Sequence, residues 1–107
     1  MMLSEYRIMW MFALFDLPVK TKNQRHLAAK FRNDLLKFGF SMLQFSVYAR
    51  PCSSQTRGYL QTRIEQAMPS QGKVAIMLIT DKQYGAMSVY RASVERKQKV
   101  PEQYTLF

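Results

Sequence analysis

Tyr6 to Val19 reads Tyr-Arg-Ile-Met-Trp-Met-Phe-Ala-Leu-Phe-Asp-Leu-Pro-Val, and this stretch decides the fold. Its apolar run, Ile8 to Phe15, ends at a single carboxylate, Asp16, and Pro18 follows two residues later. The run is too short to cross a bilayer as a helix, which needs about 20 apolar residues. Its aromatic content and the proline favour a buried strand. Alternate side chains of a strand face opposite sides of the sheet, so both faces of this strand are apolar.

The composition indicates one small domain with an anionic partner. The chain has 107 residues, enough for a single two-layer core, and 16 Lys and Arg against seven Asp and Glu give a net charge of +9. Such an excess favours contact with DNA or RNA. One cysteine, Cys52, excludes an intrachain disulfide, and with one histidine, His26, it cannot complete a tetrahedral zinc site. A lone thiol and the lack of a secretory signal pattern predict a cytoplasmic protein with no membrane contact.

The segment after the first strand predicts a helix and then extended chain. Thr21 and Gln24 have the spacing of a capping box, and Gly39 supplies a stop at the other end of the helix. Residues 40–51 are rich in aromatic and β-branched side chains, which predicts strand structure with a turn near residues 44–46.

The second half of the chain repeats this alternation. Ser53 or Ser54 caps a second helix that ends before Pro69. Residues 74–79 form another unbroken apolar strand, and residues 83–92 predict a weaker, further strand that Gly85 interrupts.

The predicted order is therefore strand, helix, strand, strand, helix, strand, with an extra C-terminal strand and a polar tail. This order is typical of an α+β, ferredoxin-like βαββαβ sandwich. Right-handed crossovers place both helices on one face of its antiparallel sheet. We assign residues 1–92 to this domain and residues 93–107 to a C-terminal tail or partner-docking segment.

The other face of the predicted sheet needs a different cover. The strands at 8–15 and 74–79 are apolar on both faces, and no remaining segment is long enough to form a second layer. A two-fold partner that buries sheet against sheet is the simplest cover, so we expect a homodimer.

Three segments, taken in this order, resemble one family. They are the strand that ends Phe15-Asp16-Leu17-Pro18, the basic capped helix that closes at Phe38-Gly39, and Gln44-Phe45-Ser46-Val47-Tyr48. From about Tyr6 to Ala92 the chain resembles the CRISPR-associated "protein two" family, the small partner of the spacer-acquisition integrase in bacterial antiviral defence.

The resemblance implies a ferredoxin-like homodimer that binds double-stranded DNA between two dimers of the integrase subunit. It also implies a magnesium-dependent endonuclease acting on RNA or DNA, with Asp16 as the catalytic and metal-binding residue. The C-terminal segment of the family often docks on the integrase; the residues that would do so here are Tyr104, Leu106 and Phe107.

Judged by its own chemistry, Asp16 makes a weak hydrolytic site. Magnesium takes oxygen ligands, usually one or two carboxylates completed by water and substrate phosphate. Asp81 ends the strand at 74–79, which should run antiparallel to the first strand, so we expect it at the opposite edge and out of reach. Two copies of Asp16 could share one ion across a two-fold axis; alternatively, Asp16 only caps its turn. No general base is near, so we expect slow hydrolysis at most.

Nucleic-acid binding makes smaller demands, because Lys and Arg that neutralise phosphates supply most non-specific affinity. The candidates lie on or beside the two predicted helices: Lys22, Arg25, Arg32, Arg50 and Arg57. The leading hypothesis is a DNA-binding structural subunit of a CRISPR adaptation complex. A stand-alone magnesium-dependent endoribonuclease of toxin type and a ribosome-type RNA-binding domain stay open as alternatives.

Overall fold

In the computed structural model, which describes residues 8–92, four strands and three helices follow one another along the chain. They are β1 (Met9–Asp16), α1 (Lys22–Lys37), β2 (Ser41–Gln44), β3 (Val47–Cys52), α2 (Ser54–Ala67), β4 (Lys73–Thr80) and α3 (Asp81–Gly85). The order of the first six elements confirms the prediction from sequence. No helix in this part of the chain is long and apolar enough to span a bilayer. The docking residues predicted in the tail, Tyr104, Leu106 and Phe107, lie outside the described residues.

The four strands form one antiparallel sheet in the order β2-β3-β1-β4. β1 lies in the middle and pairs with both neighbours, so that Phe12 stands opposite Ala49 on β3 and Met77 on β4. This order and the two crossing helices confirm the α+β, ferredoxin-like fold.

Both long helices pack on the same face of the sheet. Met11 and Ala13 of β1 are completely buried there against Phe31 of α1 and Ile64 of α2, all within a single hydrophobic core. Large apolar side chains each stabilise a fold by about 1.5–3 kcal/mol when fully buried. The Phe15 ring contacts the Phe31 ring edge to face, with 5.1 Å between the ring centroids.

The helix ends follow the predicted capping signals. Thr21 caps α1 and forms the reciprocal pair of hydrogen bonds with Gln24, and Ser53 caps α2. After α1, Gly39 adopts a φ of 93°, in the left-handed region that favours glycine. The expected turn between the second and third strands lies after Gln44.

The predicted extra strand over residues 83–92 is wrong. The chain turns directly from β4 into α3, and residues 86–92 form no strand. Thr80 accepts a hydrogen bond from the Gln83 backbone N–H, while the Gln83 side chain accepts one from the Thr80 backbone. This capping box favours a helical turn over extended chain.

The short helix α3 also corrects the expectation that nothing in the chain covers the second face of the sheet. The Tyr84 ring stacks on Trp10, with 3.7 Å between centroids, and the Trp10 indole N–H donates to the Asp81 carboxylate at 2.8 Å. Phe12 beneath this cluster is only 4% exposed. Farther along the same face Met77 stays 43% exposed, so α3 covers one end of the face and leaves the other open.

Gly58, inside α2, should be a position where alanine stabilises the protein. A Cβ built there meets no atom of residues 8–92 within 4 Å, and the residue is exposed. Glycine inside a helix costs about 0.5–1 kcal/mol relative to alanine. We expect Gly58→Ala to raise the free energy of unfolding by about that amount in urea denaturation. Gly39→Ala is the control and should lower it, because a Cβ there would lie 2.8 Å from the Arg50 Nη1. A decrease in stability in Gly58→Ala would contradict the open helix surface.

Candidate nucleic-acid interface and acidic site

Asp16 is the last residue of β1 and its side chain is exposed at the end of the sheet. Lys73, the first residue of β4, stands directly opposite it in the strand register. Leu14, Phe15 and Ala75 complete a shallow groove with these two residues. The groove therefore presents one carboxylate and one ammonium group above an apolar floor.

The backbone beneath Asp16 is held in place by a close approach of two loops. Gly72 has a φ of 106°, and a Cβ there would lie 2.6 Å from the Leu17 Cδ2 and 2.9 Å from the Asp16 carbonyl oxygen. The Gln24 side-chain amide donates to the Gln71 side chain at 3.2 Å, which joins the start of α1 to the same loop. Asp16 thus emerges from a fixed backbone position rather than from a loose loop.

The described part of one chain does not supply a complete set of protein ligands for a magnesium ion. Residues 8–92 contain no group of three or more His, Cys, Asp or Glu side chains that could hold a metal. Asp81 lies at the other end of the sheet, since Thr80 pairs with Met9 while Lys73 pairs with Asp16. At about 3.3 Å per residue the seven-residue separation is about 23 Å. The predicted remoteness of Asp81 is confirmed, and its carboxylate is already bonded to Trp10.

Two of the predicted nucleic-acid residues, Arg25 and Arg32, are held by contacts within the fold. The Arg25 guanidinium donates to the carbonyls of Val19 and Lys20 at 3.1 and 3.0 Å, just before α1. The Arg32 guanidinium lies over the exposed ring of Phe45, 4.3 Å from its centroid. Each guanidinium has five N–H donors, so these contacts orient the group and leave donors for a phosphate.

Of the other three predicted residues, Lys22 lies at one end of the helix layer, whereas Arg50 and Arg57 lie near Cys52 at the other end. Lys22 is exposed in the first turn of α1, and Arg57 is exposed near the start of α2. Arg50 is half-buried and donates to the Phe38 carbonyl at 2.6 Å and to the Pro51 carbonyl at 2.9 Å. Arg50 therefore fastens the end of α1 to β3, and the five residues do not form one continuous stripe.

Cys52 is buried in the core near Arg50 and Arg57. Burial raises the pKa of its thiol, because it disfavours the thiolate, and the two guanidinium groups oppose that rise. A thiol in this setting is a packing residue rather than a nucleophile.

Sequence reasoning missed a basic cleft on the helix layer. Lys37, Arg50 and Arg63 line it together with Phe38, Tyr59 and Leu60. The Arg63 guanidinium lies 4.8 Å from the centroid of the Phe38 ring and donates to the Tyr59 hydroxyl. The spacing of Tyr59 and Arg63, four residues apart on a predicted helix, is the one signal in the sequence that could have indicated this contact.

Few of the charged side chains in residues 8–92 form ion pairs. The only ion pair among residues 8–92 joins Lys30 to Asp34 at 3.0 Å. No basic side chain of the predicted interface or of the cleft lies within ion-pairing distance of a carboxylate in this part of the chain. Their positive charge is available to an anionic partner.

Comparison with known proteins gives a consistent result. The family model described as CRISPR associated protein Cas2 matches residues 9–87. A protein of Paracidovorax avenae named CRISPR-associated endoribonuclease Cas2 is 52% identical over 108 residues, covering 99% of this chain and 100% of that protein. A Flavobacterium psychrophilum protein of the same name is 45% identical over 89 residues, covering 82% of this chain and 77% of that protein.

A solved structure supports the fold independently. It is described as a crystal structure of Cas2 and matches with a TM-score of 0.56, covering 78% of this chain and 88% of that chain. Its sequence identity is 20%, so the likeness bears on the fold alone.

Gly72 should be essential to the backbone at Asp16. We expect Gly72→Ala to lower the free energy of unfolding by about 1–3 kcal/mol in urea denaturation, because of its φ and because the new Cβ would meet backbone atoms. In a ¹⁵N–¹H spectrum the amide signals of Asp16 and Leu17 should shift. Gly85→Ala is the matched control, since a Cβ there meets no described atom within 4 Å. Equal stability of the two variants would contradict the prediction, because it would mean that the loop at Gly72 accommodates a Cβ without strain.

Proposed function

Because the chain belongs to the CRISPR-associated Cas2 family, we propose that it acts as a DNA-binding structural subunit of the CRISPR adaptation complex in antiviral defence. In this role it is a homodimer that holds double-stranded DNA by charge and shape and contacts the integrase subunit. Family membership supports this hypothesis over the toxin-type ribonuclease and the ribosome-type RNA-binding domain.

The observation that carries the proposal is a set of basic side chains that have no carboxylate partner within residues 8–92 and are held in place by other contacts. The net charge is +9, and the basic side chains considered above have no carboxylate partner within residues 8–92. Contacts with ring faces and backbone carbonyls hold Arg25, Arg32 and Arg50 in place. Preoriented cations of this kind neutralise phosphates without reading base sequence.

Endonuclease activity is the second candidate, and the names of the relatives favour it, since they are called endoribonucleases. Asp16 is the residue that would bind magnesium, which supplies charge stabilisation at a phosphoryl group when bound. One described chain gives this site a single carboxylate, with Lys73 opposite and an apolar floor. That donor set does not fit a self-sufficient metal site, so any hydrolytic role depends on a second copy of Asp16.

The homodimer is supported by the open end of the sheet. Met77 and Ala75 of β4 are exposed on the face away from the two long helices, beside the half-buried Leu14. A second copy packed on this region would bury these apolar side chains while leaving the basic residues of α1 and α2 free for DNA.

The proposed location is the cytoplasm, which fits a buried, unpaired thiol at Cys52. The integrase subunit is proposed as partner on the strength of family membership. Docking through Tyr104, Leu106 and Phe107 stays a prediction.

Asp16→Asn tests whether the protein is scaffold or nuclease. We expect the variant to bind a duplex of about three helical turns no more weakly than the wild type in fluorescence anisotropy, and spacer integration by the assembled complex to persist. We expect magnesium-dependent cleavage of RNA and DNA to be weak or absent even in the wild type. Asp81→Asn, a carboxylate change at the opposite end of the sheet, is the control.

Two outcomes would count against the scaffold. One is robust magnesium-dependent cleavage that survives Asp81→Asn and vanishes in Asp16→Asn together with integration. The other is a wild-type protein that binds no duplex at moderate salt, or binds with an affinity that salt does not reduce.

Met77→Asp tests the proposed dimer contact. Met77 is 43% exposed, so the monomer should tolerate a carboxylate there, whereas an interface would bury it without a partner. We expect the wild type to have twice the chain mass of 12.6 kDa in light scattering and the variant to have the mass of one chain.

Met42→Asp is the matched control for this prediction. Met42 is 56% exposed and pairs with Tyr48, whose side chain lies in the core on the helix side of the sheet. The same substitution there should leave the dimer intact. A wild-type protein with the mass of one chain, or equal effects of the two substitutions, would refute the proposed interface.

A further inference from the structure

The cleft between the end of α1 and the middle of α2 has the features of a phosphate-binding site. Three cationic side chains, Lys37, Arg50 and Arg63, line it, and no carboxylate lines it. None of the three forms an ion pair with any carboxylate of residues 8–92. Like charges repel at such short range, so their convergence favours an anion that lies among them.

Two of the three cations are held before any ligand arrives. The Arg50 guanidinium is fixed by two backbone carbonyls, of Phe38 and Pro51. The Arg63 guanidinium rests over the Phe38 ring and bonds to the Tyr59 hydroxyl. Because these side chains are already ordered, binding a ligand would cost little further rotamer entropy. Gly39 makes this arrangement possible, since a Cβ there would lie 2.8 Å from the Arg50 Nη1.

Capping of α1 accounts for only part of this charge. The C-terminus of a helix carries a partial charge equivalent to about half an electron, and Arg50 and Lys37 lie close to it. Arg63 belongs to α2 and contacts rings rather than the carbonyls of α1. Most of the positive charge of the cleft therefore remains uncompensated, a larger excess than a helix end explains.

We infer that this cleft binds a phosphodiester group of a single-stranded nucleic-acid segment, with an unpaired base against Tyr59. Guanidinium groups match the oxygen geometry of phosphate, and the flexible ammonium of Lys37 completes the site. Tyr59 is 60% exposed at the rim, and exposed aromatic rings stack on unpaired bases of any sequence. The inference rests on the proposed nucleic-acid function and adds a second surface to it, at the end of α1 opposite to Lys22 and Arg25.

The test compares the full-length wild type with Lys37→Gln/Arg63→Gln and with a charge-matched control, Lys82→Gln/Arg91→Gln. Both control residues are exposed and do not line the cleft. Anisotropy across a salt series measures the binding of a labelled single strand and of a duplex of equal length, about two helical turns. Thermal unfolding checks the fold, and single Lys37→Gln, at an exposed helix position, is used if the double variant unfolds.

We expect the cleft variant to bind the single strand at least about tenfold more weakly than the control does. The slope of log affinity against log salt should become shallower by about 0.7 for each phosphate that the variant no longer neutralises. Tyr59→Ala should weaken single-strand binding about fivefold or more because the base no longer stacks, with the salt slope unchanged. Duplex binding should change no more in the cleft variant than in the control.

Other results would overturn the inference. If the wild type binds duplex but not single strand, or if the cleft variant and the control bind the single strand alike, the cleft is only a structural cap and the proposed scaffold function stands. If inorganic phosphate or a mononucleotide displaces the strand at equal concentration, the cleft recognises a free phosphate instead of a strand. If the wild type binds neither nucleic acid, both the inference and the proposed function fail.

Discussion

The structure depends on one constraint, the burial of β1 on both edges and on most of both faces. β3 and β4 take its backbone hydrogen bonds, and Met11, Phe12 and Ala13 are almost wholly buried. A polar side chain inside this strand would need a partner that neither neighbouring layer offers. Asp16 therefore marks the first position where the strand can carry a charge, and its exposure follows from the burial of the residues before it. No charged side chain of residues 8–92 is fully buried, and even Arg50, within β3, is only half-buried and donates to backbone carbonyls.

The face of the sheet away from the long helices is divided by a single hydrogen-bonded cluster. An indole that is covered requires a partner for its N–H, and Asp81 supplies one to Trp10 while Tyr84 covers the ring. This arrangement joins α3 to β1, and it gives Asp81, which directly follows β4, a structural role. It also limits the open apolar surface to the region of Met77 and Ala75, toward the Asp16 end of the sheet. A partner that covers this surface would lie near Asp16 and on the opposite face of the sheet from the basic cleft.

Signals between residues close in sequence were sufficient to predict the sandwich. The contacts that the long basic side chains make could not be predicted in the same way. The aromatic apolar run that stops at Asp16 and Pro18 gave β1 correctly, and the capping box at Thr21 gave the start of α1, since both signals lie within a few residues of each other. The same capping signal is present at Thr80 and Gln83, but it was not used in predicting a strand over residues 83–92. The positions of Arg32 and Arg50 could not be predicted, because the ring and the carbonyl that hold them lie on other elements of the fold. Arg50, for example, reaches a carbonyl twelve residues away in the chain.

The basic cleft lies at one end of α1, and Asp16 lies near the other end. α1 has 16 residues, which at 1.5 Å per residue span about 24 Å. Lys22 and Arg25 lie at the end of this helix near Asp16, whereas Lys37 borders the basic cleft at the other end. The two groups of cations are therefore about one helix length apart. A strand bound in the basic cleft would lie about one helix length from the carboxylate, and only a nucleic acid bound near Lys22 would come close to it. Under the proposed function, most of the basic surface would therefore hold nucleic acid away from Asp16, as expected of a scaffold.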